Sequence, residues 1–415
     1  MKEKGNLFKR DFTLVVIGQV ISLFGNAILR FALPLYLLRE TGSSTLFGIV
    51  TACSFAPMVV LSMIGGVLAD RVNKRNIMVG LDFCTAILIL IFYLSLGNVP
   101  TVPLFIVVLM LLYGISGTYQ PSVQASIPLL VPSEKLMAGN AVINQVNTLS
   151  GLLGPVIGGV MFGIWGIYPI LILSVICFAF SAIMEIFIHI PHEKRVTDSK
   201  IFTIVGNDLK ESFYFVKTEK PIFFSVVLLI SIFNLVLSAV MIVGTPILIT
   251  QVLKMSDTMY GLTQGALALG GLCGGILTAI IAEKLKLKNS YILLLVCAIS
   301  VAFMGVPIML NAPAIISYWI ITLMSFTAMG ASTLFVVQIY TMVQQQTPPQ
   351  LVGKIMAALI SIAMCGQPIG QAVYGILFDI FESQTWIVLI VAAIAAFLIS
   401  LYSKKIFSQL EDSDE

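Results

Sequence analysis

The chain has 415 residues, of which 58% are hydrophobic and only 10% charged, with a net charge of +3 and a mean hydropathy of +1.03. Water-soluble domains carry about 25% charged residues, so this composition excludes a soluble globule. The small positive charge gives no basic surface for nucleic acid, and the chain reads as a polytopic membrane protein.

A membrane-spanning helix needs about 20 apolar residues. Twelve runs of that kind follow one another: 12–38, 46–69, 77–97, 102–127, 137–163, 168–190, 222–250, 258–283, 290–310, 313–342, 352–378 and 384–403. Continuous runs are helical, because the strands of a membrane barrel alternate. The expected fold is all-α, with residues 1–190 as one six-helix bundle and 222–405 as a second. A linker at 191–221 joins them, and an acidic, unstructured tail occupies 406–415.

The first run is too long for a cleavable signal and continues as a full span. Its polar residues, Gln19, Ser22, Asn26 and Arg30, share one helical face. A central Arg costs about 2.5–3.5 kcal/mol on insertion scales, so Arg30 needs a carboxylate, carbonyls or an anionic substrate group, unless it snorkels to the interface.

The second span ends at Gly65-Gly66 and runs into Asp70-Arg71-Val72-Asn73-Lys74-Arg75 before the third begins. So short a basic turn makes a tight hairpin, and the paired glycines allow a close helix contact. Asp70 is placed to bond the positive N-terminal end of another helix. Asp82 follows in span three. Span four carries Tyr113, Ser116, Gln120 and Gln124 along one face, and span five Asn140, Asn144, Asn147 and Gly151. Buried polar groups are costly in hydrocarbon and face a cavity or a partner helix.

Span five continues as Gly151-Leu152-Leu153-Gly154-Pro155-Val156-Ile157-Gly158-Gly159, a run stripped of bulk on one face and lacking one backbone donor at Pro155. Span six carries Glu185. In the linker, Ile201, Val205, Leu209, Phe213 and Val216 follow helical spacing, which predicts an amphipathic surface helix.

The second half offers Asn234, Ser238 and Thr245 in span seven, and Glu283-Lys284 after span eight, an echo of Asp70-Arg71. Gln367, Gln371, Tyr374 and Asp379 follow in span eleven. Such internal repetition marks transporters. The six cysteines all fall within spans and form no Cys-x-x-Cys pair, so they read as small buried hydrophobes rather than disulfides.

Basic residues set the topology. With the N-terminus inside, twenty Lys and Arg lie inside and two, Arg39 and Lys254, outside. Both termini are therefore expected in the cytoplasm.

The hairpin resembles the loop 2–3 signature of the major facilitator superfamily, Gly-x-x-x-Asp-Arg-x-Gly-Arg-Arg. Gly66, Asp70, Arg71, Lys74 and Arg75 match it, and Asn73 replaces the second Gly. Span five resembles the antiporter pattern Gly-x-x-x-Gly-Pro-x-x-Gly-Gly at Gly151, Gly154, Pro155, Gly158 and Gly159. Gly18-Gln19, Thr41-Gly42-Ser43, Pro57 and Tyr119-Gln120-Pro121-Ser122 resemble the macrolide-efflux and enterobactin-exporter branch.

The resemblance implies export of an amphiphilic compound, driven by proton entry, with two bundles rocking about a midplane site. It implies a multi-pass protein of the bacterial cell membrane, a monomer in contact with lipid, without a cofactor or a metal. Asn26, Arg30, Gln120, Gln124, Asn144 and Asn234 are the substrate-binding candidates, and Asp82 and Glu185 the proton-coupling ones. Gly66, Asp70, Arg71, Lys74, Arg75, Glu283 and Lys284 would serve gating. Many relatives carry an Arg in span four, where this chain reads Leu111-Leu112-Tyr113-Gly114. A lipid or lysolipid carrier and a small-metabolite proton symporter are the rival readings. A membrane enzyme lacks its nucleophile, ligand cluster or phosphate loop here.

Overall fold

The computed structural model describes residues 7–191, 222–281, 287–348 and 351–414. Among these residues the chain is helical without strands, and twelve helices are long and apolar enough to cross a membrane. They are α1 (Arg10–Thr41), α2 (Ser44–Arg71), α3 (Lys74–Ser95), α4 (Thr101–Leu130), α5 (Leu136–Trp165) and α6 (Ile167–Ile186). Then come α7 (Ile222–Val252), α8 (Asp257–Ile281), α9 (Ser290–Met309), α10 (Ala314–Gln345), α11 (Val352–Ile380) and α12 (Thr385–Asp414). Each of the twelve apolar runs is thus one helix. Large apolar side chains such as Leu94, Ile176, Ile280 and Trp319 remain exposed, as lipid-facing surfaces require.

Two compact units divide the chain. One takes Met1–Thr41 and Cys53–Ile201; the other takes Gly42–Ala52 and Phe202–Glu415. The expected amphipathic helix of the 191–221 linker lies outside the described residues, as do Glu283 and Lys284. α12 runs on to Asp414, where the sequence reading expected an unstructured tail. The Ser403–Leu410 stretch continues the helix without a glycine or proline to stop it.

In the first unit α1 packs on α4, α5 and α6, and α3 on α4 and α6. Small residues set these distances. A methyl on Gly154 would collide with the Ala27 side chain, and one on Gly158 would lie 3.2 Å from the Phe31 ring. One on Gly65 would lie 2.7 Å from Thr118 Cα. Gly154 and Gly158 of α5 therefore seat α1, and Gly65 seats α2 on α4, as the sequence reading expected of Gly65.

In the second unit α8 packs on α10, α9 on α10 and α12, and α11 on α7. The start of α2 belongs here. A methyl on Gly375 of α11 would lie 2.6 Å from the Ser44 carbonyl oxygen and 3.1 Å from Gly48 Cα. Asp379 caps the same helix end. Its Oδ1 accepts the Ser44 N–H at 2.8 Å, and its Oδ2 accepts the Thr45 N–H at 2.9 Å and the Ser43 hydroxyl at 3.0 Å. A carboxylate at the amide end of a helix satisfies donors that the helix itself cannot.

α7 is not a uniform α-helix. Asn234–Ser238 and Ile247–Val252 are π-helical. The second stretch follows Pro246, which cannot donate into the ladder. In the first, the Asn234 amide donates to the Ala363 carbonyl of α11 at 3.0 Å, and the Ser238 hydroxyl donates to Asn234 Oδ1 at 2.9 Å.

All six cysteines are free. Cys297 is buried and Cys177 half-buried, whereas Cys53, Cys84, Cys273 and Cys365 are exposed. The expectation of small buried hydrophobes therefore fails for four of the six.

Candidate functional site

The first unit holds a polar network at the meeting of four helices. α1 supplies Gln19 and Ser22, and α6 supplies Ser181 and Glu185. Each pair is about one turn apart, so each pair shares a helix face. α3 adds Asp82 and α4 adds Tyr119. Gln19 and Glu185 are 0% exposed and Asp82 is 2% exposed.

The Ser22 hydroxyl donates to Asp82 Oδ2 at 2.6 Å and lies 2.9 Å from the Ser181 hydroxyl. The Tyr119 hydroxyl donates to Glu185 Oε1 at 2.6 Å, and the Gln19 amide donates to the Tyr119 oxygen at 3.0 Å. Gly18 makes room for this arrangement, since a methyl there would lie 3.3 Å from Glu185 Oε1. Tyr119 also belongs to an apolar cluster with Phe12, Val15, Met78, Val123 and Ile188, which walls the network off on that side.

Among the described residues no Lys or Arg pairs with Asp82 or Glu185. Glu185 Oε2 and Gln19 Oε1 are buried without a hydrogen-bond partner. Burying an uncompensated carboxylate costs several kcal/mol. The network therefore holds two acidic groups whose partners are hydroxyls, with the Gln19 amide bonded to one of those hydroxyls. The alternative that Asp82 pairs with the basic loop is not realised among the described residues. Sequence reasoning singled out both acids separately but did not join them, and it passed over Tyr119 and Ser181 as partners. The helical spacing of Gln19 with Ser22, and of Ser181 with Glu185, was the available signal.

Arg30 lies farther along α1, half-buried. Its guanidinium carbon stands 4.1 Å from the centre of the Tyr113 ring of α4. The ring face compensates the charge through its quadrupole, a partner absent from the sequence expectation. Its Nε is buried without a hydrogen-bond partner. Asn26 turns back to its own helix and donates to the Ser22 carbonyl at 2.9 Å. Gln120 is half-buried, and Gln124 and Asn144 are exposed. These five residues belong to the first unit. Asn234 belongs to the second, where its amide holds α7 to α11.

The hairpin after α2 is described in part. Gly66, Asp70 and Arg71 lie in or at the end of α2, and their side chains fall outside the described set. Asn73, the departure from the motif, caps α3. Its Oδ1 accepts the Arg75 N–H at 3.0 Å. Lys74 opens that helix, and the Arg75 guanidinium donates to Asn76 Oδ1 at 3.1 and 3.2 Å. In α5, Gly154 and Gly158 seat α1, whereas a methyl on Gly151 would meet nothing within 4 Å. Gly159 is buried, and Pro155 stands inside an otherwise continuous helix.

The family model of the Major Facilitator Superfamily matches residues 15–363. The chain belongs to this superfamily. Among facilitator relatives, it is 24% identical to "Macrolide efflux protein A" of Streptococcus pyogenes over 395 residues, covering 93% of this chain and 94% of that protein. It is 24% identical over 370 residues to "Enterobactin exporter EntS" of Citrobacter koseri, covering 88% and 84%. The crystal structure of the nucleoside transporter NupG superposes with a TM-score of 0.76 at 11% identity, covering 96% of this chain and 99% of that one. At that identity the likeness is one of fold. The facilitator assignment makes the chain a multi-pass membrane transporter.

Proposed function

We propose that this protein exports an amphiphilic compound of the macrolide type across the bacterial plasma membrane by alternating access, coupled to proton entry. Both full-length relatives described above carry efflux or export names, and that supports the direction of transport. The observation that carries the coupling is the buried network of Asp82 and Glu185. Two acids with no cation beside them among the described residues are neutralised by binding protons, and secondary carriers move protons through such groups. Tyr119 bridges Glu185 to Gln19, so a proton reaching Glu185 is felt on α1 and α4.

Substrate recognition falls to Asn26, Arg30, Gln120, Gln124 and Asn144 in the first unit and Asn234 in the second. The Arg30 guanidinium on Tyr113 is the cationic feature of that set. Gly66, Asp70, Arg71, Lys74 and Arg75 of the first half and Glu283 and Lys284 of the second serve gating, and the glycines of α5 permit the helix movements of an antiporter. Both termini face the cytoplasm, and the protein works as a monomer in lipid.

Accumulation of radiolabelled erythromycin in cells expressing the protein tests this reading. Low accumulation that rises when a protonophore is added is the expected result, with Glu185→Gln and Asp82→Asn each abolishing efflux at wild-type expression. Accumulation equal to that of empty cells, with the protein present in the membrane, would refute export of this class.

A further inference from the structure

One cavity is lined only by residues of the second unit, drawn from α7, α8, α9, α10 and α11. It measures about 330 Å³, at the lower end of the range for small-molecule pockets, about 300–1,000 Å³. It has the room of about eleven waters at about 30 Å³ each. That seats one ring system or a length of acyl chain, not a whole macrolide.

The lining has no charged side chain. Phe233, Leu237, Met241 and Met329 supply apolar surface, and Met adapts its shape to irregular partners. Four polar side chains also line it: Ser238, Gln264, Ser332 and Gln367. Two of them are committed. Ser238 donates to Asn234, and the Gln264 amide donates to the Tyr260 hydroxyl at 2.9 Å. Ser332 and Gln367 make no hydrogen bond among the described residues.

On α10, Thr327, Thr333 and Thr341 all return their hydroxyls to the carbonyl four residues back, at 2.8 to 2.9 Å. Ser332 does not. Between them, Ser332 and Gln367 offer three donor hydrogens and two acceptor oxygens over an apolar wall. The wall also includes a π-helical turn, a local distortion frequent at functional sites, which contributes Leu237 and Ser238.

We infer that this cavity binds the uncharged apolar moiety, aryl or acyl, of an amphiphile that also carries a neutral hydrogen-bonding group, which Ser332 and Gln367 recognise. The inference rests on the reading of the substrate as an amphiphile and names where its apolar part goes. The same chemistry is offered by a drug and by a lipid chain, and competition tells them apart.

The test uses the full-length protein in lipid nanodiscs, titrated with N-phenylnaphthylamine, an uncharged aryl dye with one N–H group. Saturable fluorescence enhancement is expected. Ser332→Ala and Gln367→Leu should each weaken binding about three- to tenfold, the size of one lost hydrogen bond. Met329→Trp should fill the cavity and weaken it more than tenfold. Leu323→Trp, on the same helix but 58% exposed, should leave it unchanged. Displacement by erythromycin identifies a drug site, and displacement by lysophosphatidylcholine a lipid site.

Failure of both competitors, absence of saturable binding, or full affinity in Met329→Trp would overturn the inference. Should Met329→Trp not fold, undiminished affinity in the Ser332→Ala/Gln367→Leu double variant would do so. Binding retained by a protein that exports nothing would sink the efflux reading alone. Export without dye binding would sink the cavity alone.

Discussion

Gly375→Ala and Gly275→Ala make the same chemical change, one methyl in the middle of a helix, at sites with opposite surroundings. A methyl on Gly275 meets nothing within 4 Å, whereas one on Gly375 lies 2.6 Å from the Ser44 carbonyl oxygen. Ordinary contact begins near 3.4 Å, so α2 and α11 must part by about 0.8 Å at that point. The Asp379 bonds to Ser44 and Thr45, at 2.8 and 2.9 Å, would stretch by a similar amount. That puts both beyond hydrogen-bond range. Overpacking costs about 1–3 kcal/mol, and weakening two charge-assisted bonds costs about 1–3 kcal/mol more. Helix propensity returns only about 0.5–1 kcal/mol. Gly375→Ala should therefore destabilise the protein by about 1–5 kcal/mol, while Gly275→Ala stabilises it by about 0.5–1 kcal/mol. Unfolding of the purified variants in mixed micelles, titrated with sodium dodecyl sulfate, reads both. A Gly375→Ala protein as stable as wild type would refute the reasoning, because backbone atoms, not flexible side-chain ends, crowd that site.

Tyr119→Phe removes one oxygen and strands two buried groups, the Gln19 amide and Glu185 Oε1. It should cost about 2–4 kcal/mol and slow proton-coupled efflux at least tenfold, measured by unfolding and by proton uptake into vesicles; wild-type behaviour in both would remove Tyr119 from the relay. Asn234→Leu loses the bonds to Ala363 and Ser238. Only the first crosses between helices, where such bonds average about 0.6 kcal/mol; with the bond inside α7 also lost, the cost should be about 1 kcal/mol, and a loss above about 3 kcal/mol would show that Asn234 does more than hold two helices. Arg30→Lys should retain efflux better than Arg30→Gln, because a cation over the Tyr113 ring survives only in the first. Equal activity in the two, compared by drug accumulation, would assign Arg30 to something other than its charge.

The fold was legible because hydrocarbon imposes one rule on every span: twenty apolar residues or so, helical throughout. Each of the twelve runs became a helix, and the small-residue patterns at Gly65 and in α5 appeared as close contacts. The site was legible only in pieces. Asp82 and Glu185 stood out as charges in apolar runs, but what joins them is Tyr119, a residue that passes for an ordinary aromatic. Sequence periodicity shows which residues share a helix face; it does not show which face of a second helix meets it. Arg30 posed the same problem: its cost was readable, its Tyr113 partner was not. Asn73 reversed the pattern, since a departure from the motif turned out to supply the side-chain oxygen that starts α3. Asp379 shows one more gap. A carboxylate bonding the amide end of a helix was anticipated for Asp70, yet the described example joins the end of α11 to the start of α2, a pairing of distant segments that local pattern cannot reveal.

The two π-helical stretches of α7 also bear on how this gene can change. Each π-turn accommodates one residue more than the α-helical ladder requires. In a regular span, deleting a residue rotates everything beyond it by about 100° and ruins the packing of one side or the other. In α7 a single deletion within Asn234–Ser238 would convert the turn to plain α-helix and leave both flanks in register with their present neighbours. The helix thus contains its own spare position. Length variation among descendants of this chain should collect there, at the wall of the cavity in the second unit, where a change of one residue reshapes the lining without unmaking the span.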